Sequence, residues 1–321
     1  MLGEFEIIAR YFTRPAKSAG LGVGDDCALV ASPPGLTLAI TTDMLLEGRH
    51  FLPGADPRQL GHKTLAVNLS DLAAMGADPR WFTLAIALPE VDETWLENFS
   101  AGMFALADAH RIELIGGDTT RGPLTMSVTA IGTLPPGYAL RRDGASVGDE
   151  IWISGVTGDA ALALAHAQGR ILLPAGAAAL CRARLDTPEP RIGLGRKLRG
   201  IASAAIDVSD GLAADLGHIL ERSGVGAEVE LDAVPRSEAL RATADPSLAM
   251  ACVLSGGDDY ELCFTAPPEQ RSAVLAAGVA AGVPVTSIGR IVEGAALTLL
   301  DASGAIVPIA RAGFDHFRPP Q

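Results

Sequence analysis

The amino-acid sequence predicts an α/β (α+β) fold built from two domains, and three observations lead to this prediction. The chain has 321 residues, of which 48% are hydrophobic, so it can bury a large core, and about 100–200 residues per domain favours two domains. Short aliphatic runs alternate with segments of helical periodicity along the whole chain. Turn residues and two adjacent arginines occupy positions 135–148, and we therefore expect domains at 1–146 and 147–321.

The elements of the first domain follow from apolar periodicity and from glycine and proline between the periodic segments. A first helix is predicted at 4–12, with Phe5, Ile8 and Phe12 on one face. A long helix is predicted to begin at Asp56-Pro57, with Asp56 as its cap and Pro57 as its first residue. The other predicted elements are strands at 27–31, 36–40, 81–88, 113–115 and 124–134 and a helix at 92–110.

The second domain continues the same alternation. Predicted strands lie at 150–154 and 227–231, with another that ends at Asp207, and predicted helices lie at 159–168, 175–184, 191–201 and 212–222. A short helix, an apolar run at 250–254, a strand, a helix and three short strands complete the chain. We find no repeat of fixed period, so the domains are expected to be ordinary layered folds.

One predicted helix carries a carboxylate among small and apolar residues. Val67 and Ala74 lie at helical spacings from Asp71, and Gly76 and Pro79 end the segment. A charge on a helix that is packed over most of its surface needs a partner. From this segment alone, Asp71 is either a capping or surface residue, or a ligand for a group that the rest of the chain helps to bind.

Composition excludes several classes of function. The net charge of −13 argues against a nucleic-acid partner, which favours a basic surface. No apolar run approaches the about 18 residues of a membrane helix, and the N-terminus lacks the basic start of a signal peptide, so we expect no membrane partner and a cytoplasmic location. Four scattered cysteines predict neither a disulfide framework nor a zinc site.

Aspartates recur at the ends of apolar strands, beside glycine, serine or threonine. Taken singly, each is commonly a turn or capping residue. Two carboxylates about 4 Å apart repel by about 4 kcal/mol at an effective dielectric of about 20, so several converge only around cations or with raised pKa values. The aspartates in this pattern are Asp25, Asp26, Asp43, Asp118, Asp207, Asp210, Asp258 and Asp259, and helical Asp71 joins them.

The donor chemistry favours magnesium and phosphate. Oxygen ligands without clustered histidine or cysteine favour magnesium, calcium or manganese, and magnesium commonly completes its shell with water and substrate phosphates. The sequence contains neither a Gly-x-x-x-x-Gly-Lys-Ser/Thr loop nor the protein-kinase motifs. Any nucleotide is therefore held in another way, for which glycine loops at 20–24, 116–117 and 256–257 and Arg121, Arg141 or Arg142 are candidates.

Six motifs spread over nearly the whole chain resemble those of the thiamine-monophosphate kinase family, which belongs to the aminoimidazole-ribonucleotide synthetase superfamily of ATP-using enzymes. The string at 68–77 separates this family from its relatives better than any single aspartate does. The motifs are Gly22-Val23-Gly24-Asp25-Asp26-Cys27-Ala28, Thr41-Thr42-Asp43, Asn68-Leu69-Ser70-Asp71-Leu72-Ala73-Ala74-Met75-Gly76-Ala77, Gly116-Gly117-Asp118-Thr119-Thr120, Asp207-Val208-Ser209-Asp210-Gly211 and Ser255-Gly256-Gly257-Asp258-Asp259-Tyr260-Glu261-Leu262.

The resemblance implies roles for individual residues. It implies magnesium ligands at Asp26, Thr41, Thr42, Asp43, Asp71, Asp118, Asp207 and Asp210. It implies nucleotide contacts from Gly117, Asp118, Arg142 and Ser209 and thiamine phosphate contacts from His50, Asp258 and Phe314. The residues expected to be catalytic are Asp43, Asp71, Asp118 and Asp210. Taken alone, His50 also fits an exposed loop histidine and Phe314 a core residue, and the family often has glutamate at position 258 and sometimes a larger aromatic residue near the C-terminus.

The resemblance also implies a fold, an activity and partners. The implied fold is the two-domain superfamily fold, with an N-terminal mixed sheet that binds ATP and magnesium and forms a homodimer, and a C-terminal α/β domain that completes the nucleotide and substrate site. The implied activity is ATP-dependent phosphorylation of thiamine monophosphate to thiamine diphosphate, with several Mg²⁺ ions per site. Because a phosphate monoester is already anionic at neutral pH, we expect direct γ-phosphoryl transfer without a general base. The alternatives are another ATP-using enzyme of the superfamily and a non-catalytic nucleotide- or metal-binding regulator.

Overall fold

The computed structural model describes residues 2–24, 26–308 and 313, and the chain divides into two compact units. The first unit contains the described residues up to Leu72 together with Ala77–Gly137, and the second contains Ala73–Gly76 together with the described residues from Tyr138 onward. Within these residues the strands form one sheet of four strands and one of seven. The predicted α+β architecture is confirmed, and the residue limits 1–146 and 147–321 stay a prediction.

The first unit contains a mixed sheet in the order β1-β4-β2-β3. The β1–β4 and β4–β2 pairs are antiparallel, and β2 and β3 are parallel. Among the described residues, none of the helices is both long and apolar enough to cross a lipid bilayer. The elements of this unit are α1 (Glu4–Ile7) continued by a π-helix (Ile8–Phe12), β1 (Thr37–Leu46), α2 (Pro57–Ala74), β2 (Asp78–Leu88), α3 (Glu93–His110), β3 (Glu113–Arg121) and β4 (Thr125–Leu134).

Helix α2 has the start and the burial that the sequence predicts. The Gln59 N–H donates to Asp56 Oδ1 at 2.9 Å, which is a side-chain cap on one of the unpaired N–H groups of a helix start. In the described stretch 63–74, every residue is buried except Asp71, which is half-buried. The small residues of this helix therefore pack on nearly all sides, and its one carboxylate lies where the helix is still reachable from outside.

Three sequence predictions for this unit are wrong in detail. Residues 27–31 form no strand, because Leu29 and Val30 are exposed and the segment makes only an isolated bridge to Leu21. Strand β3 extends beyond 113–115 to Arg121, because parallel pairing with β2 continues through the glycines. The π-helical turn changes the spacing of the first helix, so that Phe5 is exposed.

A pair of glycines sets the contact between α2 and α3. A Cβ at Gly61 would lie 2.0 Å from the Phe99 carbonyl oxygen, and a Cβ at Gly102 would lie 1.8 Å from the Arg58 carbonyl oxygen. Contacts of this length cannot exist between a methyl group and an oxygen, so the two backbones approach as closely as they do only because neither position carries a side chain.

Gly61→Ala is therefore expected to destabilise the protein, by about 1–3 kcal/mol or more, because the added methyl group must push two helices apart. Gly217→Ala is the matched control, since it is also helical and its Cβ would meet nothing within 4 Å. The control should be neutral or slightly stabilising, because alanine has the higher helix propensity. Urea unfolding followed by circular dichroism measures both. Equal midpoints for the two variants would contradict the close approach.

The second unit is a seven-stranded sheet in the order β11-β10-β7-β9-β5-β8-β6 with helices around it. The predicted strands and helices are present with shifts at their ends, and the apolar run at 250–254 lies in a helix. The elements are β5 (Glu150–Ser154), α4 (Asp159–Ala167), α5 (Ala175–Asp186), α6 (Ile192–Leu198), β6 (Ala204–Val208), α7 (Leu212–Ser223), β7 (Gly226–Glu230), α8 (Glu238–Arg241), α9 (Pro246–Ser255), β8 (Glu261–Ala266), α10 (Arg271–Ala281), β9 (Val285–Val292), β10 (Leu297–Leu300) and β11 (Ile306–Val307).

The core of this unit lies between the sheet and the helices. Buried aliphatic side chains of β5, β6, α4, α7 and α9 form one continuous cluster. Every residue of β6 and of β8 is buried, and both strands lie on the same side of β5 in the sheet order. Rigid, fully buried strands therefore carry the loops at 207–211 and 255–260, in which several predicted site residues lie.

Candidate functional site

In the first unit, β1 and α2 bring three predicted ligands to one face of the sheet. Thr41 and Asp43 are alternate residues of β1, so their side chains point to the same face, and both are half-buried. The Thr41 hydroxyl donates to Asp71 Oδ2 in a short hydrogen bond. The Asp43 N–H donates to Asn68 Oδ1 at 3.0 Å. Asn68 and Asp71 are three residues apart on one helical face, so the same face of α2 contacts β1 at both positions.

This group has the chemistry of a hard-cation site. It presents carboxylate and hydroxyl oxygens without nitrogen or sulfur donors, and the backbone that carries Asp43 is fixed by a fully buried amide, since Asn68 is 0% exposed. Asn68 in turn donates to the Thr64 carbonyl oxygen at 3.3 Å. A preorganised set of two carboxylates and a hydroxyl matches the partial shell that magnesium takes from a protein.

Thr42 and Asp118 do not share a row of paired residues across the sheet with Thr41 or Asp43. The Thr42 hydroxyl pairs with the Thr129 hydroxyl at 2.9 Å on the exposed face. Asp118 is exposed, and the strand register places it beside Ala85, in the row next to the one that contains Asp43. Adjacent rows face opposite sides of a sheet. The register alone therefore does not bring the Asp118 side chain to Asp43 and Asp71.

The other predicted residues of the first unit lie in loops or in strand β3. Asp26 is exposed in the loop before β1. His50 is half-buried after β1, where its Nδ1 accepts the Leu46 N–H at 3.0 Å, so the ring is locally fixed. Gly117 has φ 154° and a Cβ there would lie 1.9 Å from the Leu84 carbonyl oxygen, so the exposed backbone of the predicted nucleotide loop requires glycine at this position.

In the second unit, one buried carboxylate holds the loop that follows β6. Asp215 Oδ2 accepts the N–H groups of Ser209, Asp210 and Gly211 at 3.0, 3.0 and 3.1 Å. Burial raises the pKa of the Asp215 carboxyl to about 7, while the three N–H donors act to lower it. Asp207 is buried at the end of β6, and Ser209 and Asp210 are half-buried. The loop that carries the predicted nucleotide and metal residues of this unit is thus fixed from one side.

The turn that carries Asp258 packs on the same loop. The Asp258 N–H donates to the Ser209 carbonyl oxygen at 2.9 Å. Behind the turn, Arg191 forms a buried ion pair with Glu261, the first residue of β8, with Nε to Oε2 at 2.7 Å and Nη2 to Oε1 at 2.5 Å. Ser154 donates to the same carboxylate at 2.5 Å. These contacts fix the end of the turn to the core.

Arg142 and Phe314 are the remaining predicted site residues. Arg142 is exposed, and its carbonyl oxygen accepts the Ser223 hydroxyl at 2.9 Å. Phe314 lies outside the described residues. Within the part of the chain that the structure describes, no group of three or more histidine, cysteine, aspartate and glutamate side chains is arranged to hold a metal ion. A magnesium site here therefore depends on oxygens beyond a carboxylate cluster, such as those of phosphates and water.

Comparison with known proteins identifies the family of this chain. The model of the AIR synthase related protein N-terminal domain matches residues 24–134, and that of the C-terminal domain matches residues 147–301. The thiamine-monophosphate kinase of Salmonella typhimurium is 51% identical over 326 residues, which cover 99% of each chain. The chain belongs to the thiamine-monophosphate kinase family.

Two solved structures of the thiamine-monophosphate kinase family resemble this chain along most of its length. The crystal structure of thiamine-monophosphate kinase from Stenotrophomonas maltophilia K279a has a TM-score of 0.84 and 50% identity and covers 91% of this chain and 94% of its own. A structure described as AaThiL complexed with AMPPCP and TMP has a TM-score of 0.78 and 30% identity and covers 89% of each chain. The superfamily fold that the sequence predicts is confirmed.

Sequence reasoning missed the residues that hold the predicted site residues of this family member in place. Asn68, Asp215, Arg191 and Glu261 make the contacts described above, yet none was assigned a role. Asp215 could have been found, because a carboxylate in the first turn of a helix after Gly211 is a typical partner for the N–H groups of that turn. Arg191 and Glu261 are 70 residues apart, and no local pattern indicates that pairing.

Proposed function

We propose that this protein transfers the γ-phosphoryl group of ATP to thiamine monophosphate, which yields thiamine diphosphate and ADP. The observation that carries the proposal is the 30% identical structure bound to AMPPCP, an analogue of ATP, and TMP. The 51% identical relative is itself a thiamine-monophosphate kinase over its full length. Carboxylate and hydroxyl side chains in both units are the candidate oxygen donors for this chemistry.

Magnesium fits the donors that are present. In the first unit the ligands would be Asp43 and Asp71 with the Thr41 hydroxyl, which the structure brings to one face. In the second unit Asp207 and Asp210 are the carboxylates at the end of β6. Asp26, Thr42 and Asp118 are also proposed as ligands, and several ions per site are proposed. Because the strand register turns Thr42 and Asp118 to the other side of the sheet, these two would hold an ion other than the one between Asp43 and Asp71. When bound, magnesium neutralises charge that develops on the phosphates and brings two polyanions together.

The chain's own residues bind and orient the two substrates. Ser209, on the loop held by Asp215, is a proposed nucleotide contact, and the exposed backbone at Gly117 would allow a phosphate to approach closely. Arg142 offers a guanidinium for phosphate charge. His50 and Asp258 are the proposed contacts for thiamine monophosphate. The acceptor phosphate has a second pKa of about 6, so it is an anionic nucleophile at neutral pH and no residue has to remove a proton from it.

An assay of product formation tests the proposal. The protein is incubated with ATP, Mg²⁺ and thiamine monophosphate, and the products are separated by chromatography. We expect thiamine diphosphate and ADP in equal amounts, and no diphosphate when unphosphorylated thiamine replaces the monophosphate, because the nucleophile is then missing. ATP binding without any product from metal-replete protein would contradict the kinase proposal and favour a nucleotide-binding regulator.

We further propose that the protein is a homodimer formed through the outer face of β1. Leu38, Ile40, Met44 and Leu46 share one face of this edge strand with Thr42 and are 38%, 63%, 53% and 36% exposed. An exposed apolar row on a sheet face is typical of an interface. The cytoplasmic location predicted from the sequence is retained as part of this proposal.

A charge on this row is expected to break the dimer. Ile40→Glu should shift the mass measured by light scattering from two chains to one, because a two-fold interface repeats the substitution and would bury a carboxylate from each chain among apolar side chains. Leu275→Glu is the control, since Leu275 is similarly exposed, at 45%, on helix α10. An unchanged dimer in Ile40→Glu would contradict this interface, and a monomeric parent protein would contradict the dimer itself.

A further inference from the structure

The turn at 255–260 has an unusual backbone at the residue proposed to bind thiamine monophosphate. Asp258 has φ 68° and Tyr260 has φ 51°, and among the described residues the only other non-glycine residue with positive φ is Arg111, which ends helix α3. L-residues rarely adopt this region, and when they do so the surrounding structure holds them there. Two such residues lie within three positions of each other, so contacts with the surrounding structure must stabilise this turn.

Backbone contacts with the neighbouring loop fix this shape. The Asp258 N–H donates to the Ser209 carbonyl oxygen at 2.9 Å, and the Tyr260 N–H donates to the Val208 carbonyl oxygen at 2.8 Å. A Cβ at Gly257 would lie 2.5 Å from the Ser209 carbonyl oxygen, so the turn can approach that loop only with glycine at this position. These contacts pack the turn directly on the loop at 207–211 and couple the positions of the two segments.

The same geometry brings the Tyr260 hydroxyl to the Asp258 carboxylate. The hydroxyl donates to Asp258 Oδ1 at 2.9 Å. Tyr260 is 8% exposed whereas Asp258 is half-buried, so the ring is fixed by packing and the carboxylate is the accessible partner. Because an ionised carboxylate only accepts hydrogen bonds, a donor at one of its oxygens restricts its rotation and sets the direction in which the group points.

We propose that Tyr260 is a positioning residue for substrate binding, whose hydroxyl holds the Asp258 carboxylate in the orientation that binds thiamine monophosphate. The inference rests on the proposed function, because it assigns the ligand of Asp258 from that function. The hydroxyl does not contact the reacting phosphates in this role. Its loss should therefore weaken binding of the acceptor and leave the rate of phosphoryl transfer at saturation and the binding of ATP nearly unchanged.

Tyr260→Phe tests this role, because it removes the hydroxyl and keeps the buried ring. The KM for thiamine monophosphate is expected to rise about tenfold, which corresponds to the loss of one hydrogen bond to a charged group. Both kcat and the KM for ATP should stay within about twofold of the parent values, a division that general loss of structure does not produce. Tyr138→Phe is the matched control, since Tyr138 is 52% exposed, and it should change none of these values.

A double-mutant cycle shows whether Tyr260 acts through Asp258. Asp258→Ala alone should raise the KM for thiamine monophosphate, and Tyr260→Phe should add little in the Asp258→Ala background. An unchanged KM in Tyr260→Phe, or equal effects of Tyr260→Phe with and without Asp258, would overturn the inference. A parent protein that makes no thiamine diphosphate would instead contradict the proposed function, so the two failures are distinguishable.

Discussion

Asp71→Asn is expected to fold like the parent protein and to lose at least about 100-fold of its magnesium-dependent turnover. Asparagine keeps the shape of the side chain and still accepts the Thr41 hydroxyl, but it lacks the negative charge that binds a cation. Loss of a residue that merely supports a metal ligand costs about 10–100-fold, so loss of the ligand charge itself should cost more. Initial rates over a range of Mg²⁺ concentrations measure the effect, and half-maximal rate should require more Mg²⁺.

A second aspartate of the same unit provides the control for this variant. Asp108 lies on α3 and pairs with Arg14 on the surface, where its side chain is 71% exposed. Asp108→Asn removes the same charge from the protein and should change turnover by less than twofold. If Asp71→Asn retained full turnover with an unchanged Mg²⁺ dependence, Asp71 would not be a metal ligand. Unfolding midpoints of both variants should match that of the parent protein.

Arg191→Met is expected to lower the free energy of unfolding by about 3–5 kcal/mol, because it leaves the Glu261 carboxylate buried without its cation. Arg191 is 8% and Glu261 1% exposed. Burial acts to lower the pKa of the Arg191 guanidinium, but the paired Glu261 outweighs it and raises that pKa. A Cβ at Gly155 would lie 2.1 Å from Glu261 Oε1, so the carboxylate also packs directly against the Gly155 backbone.

An exposed pair and a double variant make this prediction specific. Arg290 pairs with Glu228 at 2.6 Å, but the Arg290 side chain is 68% exposed, and Arg290→Met should cost at most about 1 kcal/mol. Arg191→Met combined with Glu261→Met should recover most of the lost stability, because no charge then remains buried. Urea unfolding measures all three. A loss in Arg191→Met no larger than that in Arg290→Met would contradict the account of the buried pair.

The parts of the fold that the sequence predicts best are those set by local signals. Helix α2 was predicted with its cap at Asp56 and its first residue at Pro57, because capping and periodicity both act within a few residues. Strand β3 was predicted too short, because its extension depends on pairing with β2, which is distant in sequence. The strand predicted at 27–31 was wrong because an aliphatic run forms a strand only where a neighbouring strand is present to pair with it.

For the candidate site, too, the sequence predicts what depends on local signals and not what depends on pairing between distant segments. The chemistry of Asp43 and Asp71 could be predicted from residue types, and helical spacing indicated that Asp71 lies on a packed helix. Which side of the sheet each residue faces could not be predicted, because the bulge between Phe82 and Thr83 changes the register of β3 and hence the row of Asp118. The contact of Tyr260 with Asp258 lies in a turn with positive φ at both residues; aspartate adopts such φ more often than most residues, but tyrosine rarely does, so no local pattern indicates this turn.

The central claim is that ATP phosphorylates thiamine monophosphate directly, and a single-turnover experiment with ATP labelled on its γ-phosphorus tests it most directly. Excess protein is mixed with labelled ATP, Mg²⁺ and thiamine monophosphate and then quenched over a time course. The account predicts that label leaves ATP and enters thiamine diphosphate with one rate constant, and that none stays bound to the denatured protein. Label in a kinetically competent phosphoprotein, or release only as inorganic phosphate, would contradict it.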